Sequence, residues 1–286
     1  MRKLFLLFAL IAAAGASAQK RSFRVLTYNV CEGLKMDTTA SKERFVAWMR
    51  ELDPDLAALQ EMNGFTQARL EKLAAAYGHS HAVLLKDTGY PVALTSKYPI
   101  VAKRVTDNMH HGFLISRTGG YNIVVAHLSP FSWRKRQQEV ATIRAWIAAS
   151  GERRRWIVLG DLNSCSPLDR EGYADGRLRA LNRRGDDPRT GGKRQNLVDG
   201  ELDFTTQQAL LDAGFCDAFK RFHSEYDASY PSPARAAGNP DPVTCRLDYI
   251  YLSRDLRARA LDGRILREGD AATLSDHLPL YIDLKR

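Results

Sequence analysis

Eight polar side chains stand where short apolar runs of this chain break off, and their types suggest one chemistry. Asn29 ends Val25-Leu26-Thr27-Tyr28, and Glu61 follows Leu59-Gln60. His127 ends Val124-Val125-Ala126, and Asp161 and Asn163 follow Ile157-Val158-Leu159-Gly160. Asp248 lies inside Arg246-Leu247-Asp248-Tyr249-Ile250, while Asp276 and His277 precede the last apolar run. Each alone is ordinary, since a strand-end Asp or Asn is usually a turn former. As a set they offer carboxylate and amide oxygens suited to a hard cation such as Mg²⁺. Two imidazoles that titrate near neutrality join them. Transfer of a phosphoryl group needs a positioned water, neutralised equatorial oxygens and help for the leaving oxygen, and this inventory covers those needs. A Gly-x-Ser-x-Gly elbow and a Gly-rich phosphate loop are both missing from the sequence, which disfavours acyl hydrolases and nucleotide triphosphatases.

Residues of this kind must be brought together by the elements that carry them. The apolar runs are short and β-rich, and they alternate with amphipathic stretches. Phe45, Val46, Met49 and Leu52 fall on one face of a helix predicted over 42–52. A second helix is expected over 66–77, closed by Gly78, and a long one with a basic start over 131–149. Between them, 81–85, 91–95, 100–106, 112–116 and 121–126 read as strands separated by turn signals such as Gly119-Gly120. Further strands are expected at 155–159, near Ala218 and Tyr230, and at 247–252, 258–266 and 280–284, with a helix over 205–213. Two β-sheets packed face to face with helices outside satisfy this order. A two-residue step along an extended chain would put Asp161 and Asn163 on the same side. Residues 164–200 are rich in Arg, Gly and Asp and poor in apolar periodicity. They read either as a solvated basic surface insertion or as an anion-attracting loop beside the site.

The chain has 286 residues, 44% hydrophobic and 26% charged, with a net charge of +9. That composition fits one large globular domain, expected over residues 19–286. Arg2-Lys3, the apolar run 4–14 and Ala16-Ser17-Ala18 have the order of a secretory signal peptide over residues 1–18. The expected address is therefore periplasmic or extracellular, with no membrane span once the leader is removed. Loss of Arg2 and Lys3 lowers the charge from +9 to +7. A basic surface concentrates anionic substrates without choosing among nucleic acid, phospholipid headgroups and sugar phosphates. Secretion permits disulfides among Cys31, Cys165, Cys216 and Cys245. Cys216–Cys245 is the favoured pair because each lies in or next to a late strand; free buried thiols are the alternative.

The ordered segments Thr27-Tyr28-Asn29-Val30, Leu59-Gln60-Glu61, Ala126-His127-Leu128, Gly160-Asp161-Leu162-Asn163-Ser164, Arg246-Leu247-Asp248-Tyr249-Ile250 and Ser275-Asp276-His277-Leu278-Pro279 resemble the endonuclease/exonuclease/phosphatase superfamily. Ala93 to Ile100 contributes a further match. The resemblance implies the α+β deoxyribonuclease-like fold, a four-layer αββα sandwich with the site at one end of the paired sheets. It implies Glu61 as principal Mg²⁺ ligand, with Mn²⁺ as the alternative ion and with Asn29 and Asp276 as direct or water-mediated ligands. Asp161 would orient or deprotonate the attacking water, Asn163 would hold a phosphate oxygen, and Asp248 would fix the tautomer of His277. His277 itself would act as base or as donor to the phosphate. His127 stands where members dedicated to abasic-site repair carry Tyr, and a second His would stabilise the transition state or protonate the leaving oxygen. His111, next to His110, is a further candidate substrate contact or a plain surface residue. The implied function is a phosphoesterase, foremost a nuclease or phosphodiesterase. A sphingomyelinase-like or inositol- and sugar-phosphate hydrolase is the alternative, and a non-catalytic binding protein on the same scaffold is the alternative of another class.

Overall fold

The structure is a computed structural model and describes residues 22–190 and 194–286. The leader at 1–18 and Lys193 of the basic stretch lie outside the described residues. In chain order the strands are β1 (Ser22–Asn29), β2 (Leu56–Gln60), β3 (His81–Leu84), β4 (Ala93–Ser96), β5 (Val101–Val105), β6 (Phe113–Thr118) and β7 (Tyr121–His127). Then follow β8 (Trp156–Asp161), β9 (Leu197–Val198), β10 (Glu201–Leu202), β11 (Phe215–Asp217), β12 (Asp248–Ser253), β13 (Ala260–Ile265) and β14 (Leu280–Lys285). One six-stranded sheet runs β13-β14-β1-β2-β4-β3, a second runs β11-β12-β8-β7-β6-β5, and β9 and β10 form a separate hairpin.

The layering follows from the period of two along each strand. Val25, Ala58, Leu94 and Ile282 of the first sheet share one buried cluster with Leu114, Ile123, Val125, Leu159 and Ile250 of the second. Their sequence neighbours point the other way. Leu26, Tyr28, Ala57 and Leu59 pack with Phe45, Met49, Leu70 and Leu73, which belong to helices Glu43–Leu52 and Gln67–Ala76. On the opposite side Val124, Ala126, Val158, Tyr249 and Tyr251 pack with Val140, Ile143 and Leu210, from helices Trp133–Ala149 and Thr205–Asp212. The result is the expected αββα sandwich, with strands apolar on both faces because both faces are covered.

Three details differ from the sequence reading. Tyr230 makes only an isolated bridge with Cys245 rather than a strand. All four cysteines are free thiols, so the Cys216–Cys245 pairing is not made. Cys216 packs on the inter-sheet cluster, whereas Cys245 sits in a separate cluster with Cys165. The stretch 164–200 is a folded layer with its own small core, in which Cys165, Tyr173 and Leu178 pack with Leu202 and Cys245. It contains the helix Arg177–Asp186. Asp169 ties it down through Arg246 at 2.5 Å and Lys220 at 2.8 Å. Its apolar residues are too sparse to show a period, so the Arg content dominated the sequence pattern.

Candidate active site

Strand register brings the candidate residues together. In the second sheet His127 is opposite Asp161, and Asp161 is opposite Asp248, so three neighbouring strands deliver them in one row. In the first sheet Asn29 is opposite Gln60, which sets Glu61 one residue beyond. The row needs a close approach of β7 and β8 at Gly160. A Cβ there would lie 1.9 Å from the Ala126 carbonyl oxygen, and φ is +139°, so only glycine fits.

Asp161 lies at the centre. Its Oδ2 accepts from Asn29 Nδ2 at 3.0 Å, and His127 Nε2 and His277 Nε2 stand 3.5 and 3.8 Å away. Its Oδ1 accepts the Asn163 backbone N–H at 3.0 Å. Asn29 Nδ2 also donates to Glu61 Oε1 at 3.1 Å, so one amide bridges the carboxylates of two sheets. The second Glu61 oxygen accepts the Glu32 backbone N–H at 3.0 Å. On the far side, His277 Nδ1 meets Asp248 Oδ2 at 2.8 Å.

Asn163 reaches the site differently from the extended step expected. It has φ of 47°, and its Nδ2 donates to the Leu128 carbonyl at 3.0 Å. Glu61 has φ of 60°. Two non-glycine residues held in the left-handed region at strand ends are a cost that packing must offset, and such cost concentrates at working sites.

Burial sets the protonation states. Burial raises the Asp161 carboxyl to about 7, with Asp248 adding to the rise and His277 opposing it. Burial by itself would lower His277, but the Asp248 charge and hydrogen bond outweigh it and carry the ring to about 10. His127 goes the other way: burial, then His111 and His277, push it well below the ordinary value. At neutral pH one imidazole is thus charged and the other neutral, on either side of a carboxyl poised near its midpoint.

Two groups of side chains have the donors for a metal ion. Asp161, Asp248 and His277 bring ligand atoms within 4.8 Å of one another. In that trio Asp248 Oδ2 takes both His277 and Ser229 Oγ, the latter at 2.7 Å, while the buried Oδ1 has no hydrogen-bond partner among the described residues. Glu61 and Asp276 are half-buried, line the same cleft and offer oxygen alone, which fits a hard divalent cation. Asn29 has a positioning role beside the ligand role that the resemblance implies. Its amide nitrogen serves both carboxylates and its oxygen accepts the Cys31 N–H at 3.1 Å, so it positions Glu61 and Asp161.

Several partners escaped the sequence reading. Ser229, fully buried, supports Asp248. Ser275 Oγ donates to the Asn29 carbonyl at 2.6 Å and accepts the His277 N–H at 3.2 Å, joining the first and last motifs. Tyr230 lies against His277 with ring centroids 4.9 Å apart. Glu139 is fully buried and accepts backbone N–H groups of His110 at 2.6 Å and Ser129 at 2.8 Å. The signal for Glu139 was available, because Arg136, Glu139, Val140 and Ile143 are the buried stripe of their helix at i, i+3, i+4, i+7. A charge on such a stripe needs a partner. His111 is not a plain surface residue: it is 7% exposed and stacks on His127, centroids 4.3 Å apart. Glu61, His111, His127, Asp161, Asp276 and His277 face a cleft of about 450 Å³, also lined by Phe131, Arg136 and Arg194.

No curated protein sequence is significantly similar to this chain. Solved structures do share its fold. An AP endonuclease from Archaeoglobus fulgidus superposes with a TM-score of 0.65 at 18% identity, covering 92% of this chain and 99% of that one. A 3′ phosphatase from Neisseria, bound to a product DNA hairpin, gives 0.64 at 19% identity over 92% and 100% of the two chains. An AP endonuclease from Leishmania major gives 0.67 at 16% identity over 93% and 88%. The family model for the Endonuclease/Exonuclease/phosphatase family matches residues 26–277, a span that begins beside Asn29 and ends on His277, and the chain belongs to that family.

Proposed function

We propose that this protein is a secreted, Mg²⁺-dependent phosphodiesterase that cleaves nucleic acid. The observation that carries the reading is the placement of Asp161, with Asn29, His127 and His277 all directed at it in one cleft. A cation held by Glu61 and Asp276, Mg²⁺ or alternatively Mn²⁺, would neutralise charge on a phosphate oxygen. Asp161, ionised by about pH 7, orients a water and takes its proton. His277 stays protonated because Asp248 holds its Nδ1–H, which leaves Nε2–H to donate to a phosphate oxygen as charge builds there. Neutral His127 offers an Nε2–H on the other side, placed to steady the leaving oxygen. Asn163, with one amide hydrogen engaged by Leu128, keeps the other for a phosphate oxygen.

Nucleic acid is favoured as substrate by the basic chain and by Arg194 in the cleft wall. The fold relatives named above include a 3′ phosphatase bound to DNA, in keeping with this choice. His127, where abasic-site repair enzymes of the family carry Tyr, and the signal-peptide-like leader argue against intracellular repair. A second reading, a lipid or sugar-phosphate hydrolase, is favoured by the apolar side chains Tyr90, Phe131 and Leu181 at the cleft, each at least 40% exposed. Among the described residues no helix is long and apolar enough to cross a membrane.

A panel of DNA, RNA, sphingomyelin, inositol phosphates and bis-p-nitrophenyl phosphate, with Mg²⁺ and with chelator, tests the reading. Metal-dependent cleavage of DNA or RNA with a steep loss of affinity in salt is expected. Release of phosphocholine alone would favour the second reading, and inertness toward every ester would leave a binding protein on a catalytic scaffold.

A further inference from the structure

The geometry points to a base-stacking platform beside the reacting centre, built from Tyr90, His110, His111 and Phe131, that takes a nucleobase next to the scissile phosphate. This rests on the nucleic-acid reading above. The rings form a continuous path outward from His127. His111 stacks on His127 with planes 18° apart, and His110 meets His111 edge-on at 4.3 Å. Phe131 meets His110 at 5.3 Å and Tyr90 meets His111 at 5.6 Å. All four line the cleft that holds Asp161 and His277. Tyr90 and Phe131 remain 40% and 43% exposed, so their faces are open where a substrate would lie.

His111, more than nine-tenths buried, lines the cleft and backs the platform between His127 and Tyr90. Exposed aromatic faces are what a base stacks on, whatever its sequence. The platform is also held rigidly. Glu139 grips the backbone at His110 and at Ser129, so the segments carrying His111 and Phe131 are fixed to one carboxylate. A base follows its own phosphate by one sugar, which matches a platform one ring beyond His127.

The test uses binding by the mature chain carrying Asp161→Asn, so that turnover does not interfere. Affinity is measured for oligothymidylate and for a base-free deoxyribose-phosphate strand of equal length and charge. Phe131→Ala and Tyr90→Ala are each expected to weaken oligothymidylate binding about tenfold, within the range of one base stacked on an aromatic ring, and to leave the base-free strand unchanged. Phe131→Leu keeps bulk without the ring and should behave like Phe131→Ala, which separates stacking from misfolding. Equal weakening on both strands, no weakening on either, or weakening only on sphingomyelin vesicles would each overturn the platform. Failure of the parent reading is a separate result: unmutated protein that cleaves no nucleic acid with Mg²⁺ or Mn²⁺.

Discussion

At the cleft the two sheets end in different chemistries. The first ends in Asn29 and Glu61, joined by Asp276 just before β14: an all-oxygen and amide set, with both carboxylates half-buried. The second ends in His127, Asp161 and Asp248, which are 3%, 2% and 0% exposed. On the proposed mechanism, charge that would meet a hydrated cation is kept where water reaches, and groups that would trade protons are kept where it does not. The difference teaches that burial assigns the roles here, because Asp161 and Glu61 carry the same functional group. Burial raises the Asp161 carboxyl to about 7. Asn29, bonded to both, is the physical link between the two ends.

The comparison breaks most visibly in the buried row. Asp161→Ala and His277→Ala should each cut turnover by at least about 10²-fold with any metal concentration, the usual scale for a lost acid–base group. Glu61→Gln should cost a similar factor at fixed Mg²⁺, but a Mg²⁺ titration should recover part of it. If added metal rescued Asp161→Ala instead, the two ends would have been assigned backwards.

A pH profile sharpens the same contrast. The rate should rise through about pH 7 as Asp161 ionises and fall toward about pH 10 as His277 loses its proton. Raising Mg²⁺ should move the rising limb to lower pH, because a nearby cation favours the carboxylate. Asp248→Asn removes the partner that outweighs burial at His277, so the falling limb should shift to lower pH, with a smaller loss of rate than His277→Ala. A profile unchanged in Asp248→Asn would contradict the pairing. The smallest effect is Ser229→Ala, which removes a buried donor to Asp248 and should destabilise the fold by about 1–3 kcal/mol in urea unfolding.

Much of this was legible in the sequence, for a physical reason. Val25-Leu26 and Ala57-Ala58 are apolar on both faces of a strand, which is the mark of a sheet covered twice. The polar residues that stop those runs, Asn29, Glu61, His127 and Asp161, cannot be buried without partners, so their types exposed the site. What stayed hidden are contacts made across sequence. Ser229 sits in a stretch without periodicity, and nothing local says it will meet Asp248, 19 residues on. Glu139 was not singled out, although it shares the buried stripe of its helix with Arg136, Val140 and Ile143. The bridge that Asn29 makes between Glu61 and Asp161 was also hidden, because nothing local says that one amide will meet two carboxylates from different sheets. The core of 164–200 rests on Cys165, Tyr173 and Leu178, spaced too widely to show a pattern.

The account stands on Asp161 as the point where both sheet ends act on one phosphate ester. Hydrolysis of bis-p-nitrophenyl phosphate by the mature chain and by Asp161→Asn, each with Mg²⁺ and with chelator, tests it most directly. The prediction is turnover that chelator abolishes, Mg²⁺ restores and Asp161→Asn reduces by at least about 10²-fold. Turnover that survives chelation, or that Asp161→Asn leaves near the unmutated rate, would contradict it.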